Sequence, residues 1–145
     1  MFPSVNPKIG YDVWKDFTII GPLAYTPMVL VSHPSVPAKS IKELIALANA
    51  RPGQLNYGSA GQGSGAHMGA ELFRYLTKAN ITHVPYKGTG AAVAVHLGGQ
   101  VQLVLTTVPS VGSFVKGGQL KALAVASAKR APTLPDAPTF VESGV

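Results

Sequence analysis

Leu55-Asn56-Tyr57-Gly58-Ser59-Ala60-Gly61-Gln62-Gly63-Ser64-Gly65-Ala66-His67-Met68 is the stretch on which the fold turns. A short strand at 55–57 runs into a glycine-rich loop at 58–65. A helical pattern from about 66 to 78 follows, with Met68, Leu72, Tyr75 and Leu76 on one side. Strand, tight loop and helix in that order are the repeating unit of layered α/β folds. Upstream, Ser40 and Glu43 form an S-x-x-E capping box. It opens a helix with Ile41, Leu44, Ile45 and Ala48 on one face, stopped by Arg51-Pro52-Gly53. Before it, 17–20 and 28–32 read as strands. Downstream come a strand at 81–84 stopped by Pro85, a helix capped by Thr89 and ended at Gly98-Gly99, and a strand at 101–105. A helix at 110–116, a strand at 120–126 and one helical turn near Phe140 complete the chain. After residue 40, helix and strand alternate to the last strand. The expectation is an α/β fold with a mostly parallel sheet flanked by helices, its short apolar strands covered on both faces.

The loop at 58–65 carries the chemistry. Four of its eight residues are glycine and two are serine. Glycine lets the backbone take positive φ and approach a ligand closely. The helix that follows aims its unpaired N–H groups and positive dipole end back at the loop. Together these suit a carboxylate, phosphate or sulfate, with Ser59, Gly61, Gly63, Ser64 and Gly65 as candidate contacts and His67 at the loop mouth. The same residues also suit a tight turn that binds nothing, with Ser64 as a plain N-cap. Lys87, in the strand-to-helix loop 84–89, and Thr106 and Thr107, in the hydroxyl-rich loop 106–110, would join this site. In a parallel sheet all three loops leave the carboxyl ends of strands, the edge where open α/β sheets bind ligands.

Other readings are weaker. Gly61-Gln62-Gly63-Ser64-Gly65-Ala66 fits G-x-G-x-x-A, but the acidic residue a dinucleotide site needs about 20 positions later is lacking. No Walker A lysine follows the loop, and G-x-S-x-G is absent. His67 and Glu71 lie one turn apart and provide two metal ligands, too few for a site; no metal and no cofactor is expected. No carboxylate pair suits general acid–base work, so catalysis has little support. His33, His83 and His96 read as isolated structural residues.

The chain has 145 residues, the length of one domain. With 46% hydrophobic and 12% charged residues, it has the composition of a folded domain. It has no cysteine, which excludes a disulfide framework, a thiolate metal site and a Cys nucleophile. The net charge of +6 reflects few acids, and no acid lies between Leu72 and Pro135. Such a surface attracts anions, whereas its singly scattered bases do not make a nucleic-acid groove. No apolar run approaches the ~20 residues of a membrane span. The first seven residues do not read as a signal peptide.

Taken as a set, several motifs resemble the solute receptors of tripartite tricarboxylate transporters, the Bug-type periplasmic binding proteins. They are Tyr11-Asp12-x-x-Lys15-Asp16-Phe17, Pro37-Ala38-Lys39-Ser40-Ile41-Lys42-Glu43-Leu44, Pro52-Gly53-Gln54-Leu55-Asn56-Tyr57-Gly58-Ser59-Ala60-Gly61, His83-Val84-Pro85-Tyr86-Lys87-Gly88, Leu97-Gly98-Gly99-Gln100-Val101 and Lys121-Ala122-Leu123-Ala124-Val125. They span nearly the whole chain. The resemblance implies one lobe, the second, of a two-lobed type II periplasmic-binding fold. Residues 1–16 would be a hinge or connection, 17–131 the ligand-binding lobe and 132–145 a connection toward the other lobe. It further implies a periplasmic parent, a small di- or tricarboxylate ligand, a membrane permease as partner, and no enzymatic activity. By the same resemblance Ser59, Ser64 and His67 contribute to carboxylate binding. Thr106 stands where many members carry Asp or Asn, which implies a ligand without an amine. Two further expectations stand beside this one: a fragment that self-associates, as a homodimer through exposed cleft and hinge surface, and a phosphate-ester enzyme domain whose catalytic residues are not identifiable.

Overall fold

The computed structural model describes Lys8 and residues 10–145. The first-seven-residue reading, and half of the expected connection at 1–16, lie outside the described residues. The elements are β1 (Met28–Ser32), α1 (Ile41–Ala50), β2 (Asn56–Ser59), α2 (Gly65–Thr77), β3 (Thr82–Pro85), α3 (Thr89–Leu97), β4 (Leu103–Thr107), α4 (Val108–Lys116) and β5 (Lys121–Ala126). The strands form one sheet in the order β3-β2-β4-β1-β5. β2 pairs parallel with β3 and with β4, while β1 is antiparallel to both β4 and β5. Four strands therefore point one way and β1 runs against them. The sheet is mixed: the alternation after residue 40 predicts the four co-directional strands, and the strand that precedes it is inserted backwards between two of them.

Alternation along the strands sorts side chains into two cores. Leu30, Leu103 and Leu105 face α1 and α2, where they meet Ile41, Leu44, Ala48, Ala70 and Phe73. Val29, Val31 and Val104 face α3 and α4, where they meet Val93, Val108 and Val111. Full burial of each such side chain stabilises by roughly 1.5–3 kcal/mol. On β5 the register slips opposite Leu30 and Val31. That bulge lets the consecutive Leu123 and Ala124 both join the α1/α2 core while Val125 joins the other.

Several local expectations change. Residues 17–20 form no strand; Ile20 and Leu23 are fully exposed. Strand structure needs a partner for its backbone groups, and no described residue pairs with this segment. The α1 cap is present, with Glu43 N–H donating to Ser40 Oγ at 3.2 Å, but the Glu43 carboxylate accepts from Lys39 N–H rather than from the cap residue. Thr89 is the first residue of α3, after Gly88. α4 begins directly after β4, with Thr107 at its N-cap and Pro109 in its first turn.

On α2 the larger apolar side chains Met68, Leu72, Tyr75 and Leu76 face outward, and Ala66, Ala70 and Phe73 face in. The helix sits close to the sheet: a Cβ at Gly69 would lie 2.6 Å from Leu105 Cδ2. After β5 the tail packs back. Leu134 and Ala137 are buried, Phe140 N–H donates to Val125 O at 3.1 Å, and the turn near Phe140 forms.

Candidate functional site at the carboxyl edge

Because β3, β2 and β4 are neighbours and co-directional, their three following loops emerge along one edge. Two of these loops are tied together: Tyr86 N–H donates to Ser59 O at 3.0 Å and Gly88 N–H to Ala60 O at 3.2 Å. The glycine loop turns through Gly61 (φ +119°) and Gly63 (φ +75°), conformations that L side chains rarely adopt. At Gly61 a Cβ would also press on Tyr86 O at 3.3 Å.

The loop ends at Ser64, whose Oγ accepts from His67 N–H at 3.2 Å and caps α2. Gly65 and Ala66 are the first two residues of that helix, so their N–H groups have no partner within it. His67 Nδ1 accepts from Gly63 N–H at 3.2 Å. These amides, backed by the helix dipole, form an electropositive backbone surface.

Behind the loop lies a polar cluster that the sequence did not reveal. His67, Glu71 and Arg74 recur at i, i+4 and i+7 and so share a stripe of α2. Opposite them, Tyr57 on β2 pairs in register with His83 on β3. The rings of Tyr57 and His83 stack at 4.8 Å and those of His83 and His67 at 4.2 Å. Ser59 Oγ meets His83 Nε2 at 2.7 Å. The Tyr57 hydroxyl donates to Glu71, and Arg74 reaches both oxygens of that carboxylate at 2.8 and 2.9 Å.

Each charge state in the cluster has a physical cause. Burial opposes ionisation of Glu71, but the hydrogen bonds from Tyr57 and Arg74 and the charge of Arg74 outweigh it and hold its pKa below the ordinary range. Burial, followed by the bond to the Glu71 carboxylate, pushes the Tyr57 phenol up. Burial, and next the adjacent His67, hold His83 below the usual histidine range.

The candidate residues divide accordingly. Gly61, Gly63, Ser64, Gly65 and His67 line the loop and helix start. Ser59 is fully buried, and its hydroxyl bonds to His83 and to both backbone groups of Gly61, so it shapes the loop from inside. Lys87 is exposed on the loop tied to Ala60. Thr106 is buried on β4. Thr107 is half-buried, its Oγ1 2.7 Å from Ser110 Oγ.

None of the three histidines read as isolated is so. His83 belongs to the cluster. His96 is buried, with Nδ1 2.9 Å from Val101 O and its ring edge-on to His33 at 6.3 Å. Position 83 did carry a signal: a polar ring in an apolar strand, beside a helix that shows polar residues at helical spacing. Nor do Ser59 and His83 make a nucleophile and base. The hydroxyl is inaccessible, and Glu71, which could orient a base, is held by Tyr57 and Arg74. Among the described residues no three potential ligands gather for a metal.

A five-stranded mixed sheet between helix pairs, with a glycine-rich loop and a helix start at its carboxyl edge, defines one lobe of a periplasmic-binding-protein fold. The chain belongs to the tripartite tricarboxylate transporter receptor family, whose pattern it matches over residues 1–145. Protein BugT of Bordetella pertussis is 38% identical over 97% of this chain and 43% of its own length. A Rhodopseudomonas palustris protein, Rpa4515 with adipate, is 38% identical, with a TM-score of 0.87 over 94% of this chain and 46% of its own. MatC from the same organism, with bound malate, is 31% identical, with a TM-score of 0.88 over 97% and 48%. The chain thus spans less than half the length of these relatives. The family is one of substrate-binding receptors, which retires the phosphate-ester enzyme reading.

Proposed function

We propose that this lobe supplies one wall of the carboxylate-binding cleft of a periplasmic receptor. The complete receptor carries small di- or tricarboxylates to the membrane permease of a tripartite transporter. The observation that carries this reading is the pair of unpartnered first-turn amides, Gly65 and Ala66, facing a loop whose positive-φ glycines let a ligand approach. Charge-assisted bonds to such donors contribute roughly 1.5–3 kcal/mol each. Gly61, Gly63, Ser64 and His67 complete the cradle, Lys87 adds long-range attraction, and Thr106 and Thr107 border it on β4. Ser59 fixes the loop's shape. Two relatives carry adipate and malate, which supports a ligand of this class. The only acid of the cluster, Glu71, is neutralised by Arg74, so the edge presents no anion for a ligand ammonium, in keeping with a ligand that has no amine.

Amide-resolved NMR titration with malate, adipate and citrate tests this directly. Shifts confined to Gln62–His67 and the 86–88 and 106–108 loops are the expected result. Unchanged spectra at millimolar ligand would refute it.

A second reading is favoured by one specific feature. Phe17, Ile19, Ile20, Leu23 and Tyr25 form an exposed apolar arm, and the outer face of α2 is apolar as well. Surfaces of this kind mark association sites, and a homodimer would cover them. Light scattering that reports a strict monomer at high concentration would exclude it.

A further inference from the structure

We infer that His67 is a positioning residue that couples anion binding at the glycine loop to the uptake of one proton. The inference rests on the proposed carboxylate site and concerns how that site is regulated. In the structure, Gly63 N–H donates to His67 Nδ1. An imidazole nitrogen that accepts a hydrogen bond carries no proton, so neutral His67 holds its proton on Nε2 and withdraws one backbone donor from the loop. When Nδ1 is protonated, two donors face each other. Gly63, at φ +75°, has the backbone freedom to turn its N–H away. The loop then gains an amide donor, an imidazolium N–H and a positive charge beside Gly65 and Ala66. An anion stabilises that arrangement, so binding and protonation favour each other.

The surroundings direct the proton to His67. On its own helix it is followed by Glu71 and Arg74, which neutralise one another. From β3 the His83 ring lies on it at 4.2 Å, and from β2 Tyr57 stacks on the far side of His83. Lys87 is carried on the neighbouring loop, at the exposed end of β3. Two stacked imidazoles disfavour a second charge. His83 is the more constrained of the two, with Nε2 engaged by Ser59 and its protonation opposed by burial. The stack therefore accepts one proton, on the ring that touches the loop.

NMR on this chain tests the coupling between pH about 8 and about 6, where malate stays largely doubly ionised and histidine titrates. The expected result has three parts. Neutral His67 shows the Nε2–H tautomer. The Gly63 amide moves with the His67 titration. The malate dissociation constant, read from the Gly65 and Ala66 amides, falls about tenfold as His67 protonates, the effect of one added charge-assisted bond. His67→Gln, which can still accept from Gly63 N–H but cannot titrate, binds malate with no pH dependence. Three results overturn the inference while leaving the carboxylate site standing: a pH-independent dissociation constant in the unmodified chain, a Gly63 amide indifferent to His67, or the same pH dependence in the Gln variant. No malate shift at any pH overturns both. The measurements on the unmodified chain stand even if the variant does not fold.

Discussion

The carboxyl edge and the opposite flank of this lobe are built on contrary plans. At the edge nearly every polar group is used: Ser59, Gly61, Gly63, His67, Glu71, Arg74, Tyr57 and His83 form one connected set. The first amides of α2 have no partner in their helix, and Arg74 Nε is buried without one. On the flank, Met68, Leu72, Tyr75 and Leu76 point outward from the same helix, and the exposed arm at 17–25 is held to the sheet by a Tyr25 hydroxyl bond to Ala126 O. An apolar depression of about 280 Å³ lies there, between Leu72, Leu76, Ala126, Phe140 and Val145. One helix thus serves a fixed polar site with one stripe and leaves an open apolar surface on another. A rigid site needs satisfied hydrogen bonds, whereas an apolar face stays costly until something covers it.

The contrast gives graded expectations. The largest effect belongs to the core that carries the edge. Leu103→Ala removes a fully buried side chain beneath α2 and should destabilise by about 2–5 kcal/mol, read from denaturant midpoints. A loss below about 1 kcal/mol would mean that the edge is not held by this core. Next comes the cap. Ser64→Ala leaves His67 N–H without its partner and should reduce stability by about 1 kcal/mol, with weaker malate shifts in the same amides. Loss of stability without loss of binding would separate the cap from the site.

Third is a pH effect. Burial keeps both His83 and His96 below the ordinary histidine range, against the backbone bond that favours charge on His96. Below pH about 6.5 the unfolded chain binds protons that the folded chain refuses. Stability should therefore fall as pH drops from 6.5 toward the folded-state values, seen as a declining melting temperature over that window. His96→Gln should flatten part of the decline; an unchanged slope would assign it to other groups. The smallest effect is on the flank. Leu76→Ser, at a site 57% exposed, should shift stability by less than about 0.5 kcal/mol yet lower any self-association seen by light scattering.

Much of the architecture was legible because its signals are local. The Ser40 cap, the α1 face, the glycine loop and the strand–helix order depend on neighbours in sequence, and each appears within a residue or two of its expected place. The placement of the glycine loop against the start of α2 was legible for the same reason, since glycine spacing and helix start lie within one stretch. Failures came where a distant partner decides. Residues 17–20 have strand composition but no described partner. The apolar side of α2 was read from its larger residues, whereas the sheet selected the smaller ones because Gly69 allows close approach to Leu105.

The sequence by itself determined the class of fold, the order of its elements and the glycine loop at the start of α2. These follow from periodicity, capping and glycine placement, which act over a few residues. Only the tertiary structure decided that β1 runs against its neighbours, that Ser59 turns inward, and that Tyr57, His67, Glu71, Arg74 and His83 meet. Strand direction and register set those outcomes, and both depend on pairings between segments far apart in the chain, which no short stretch encodes.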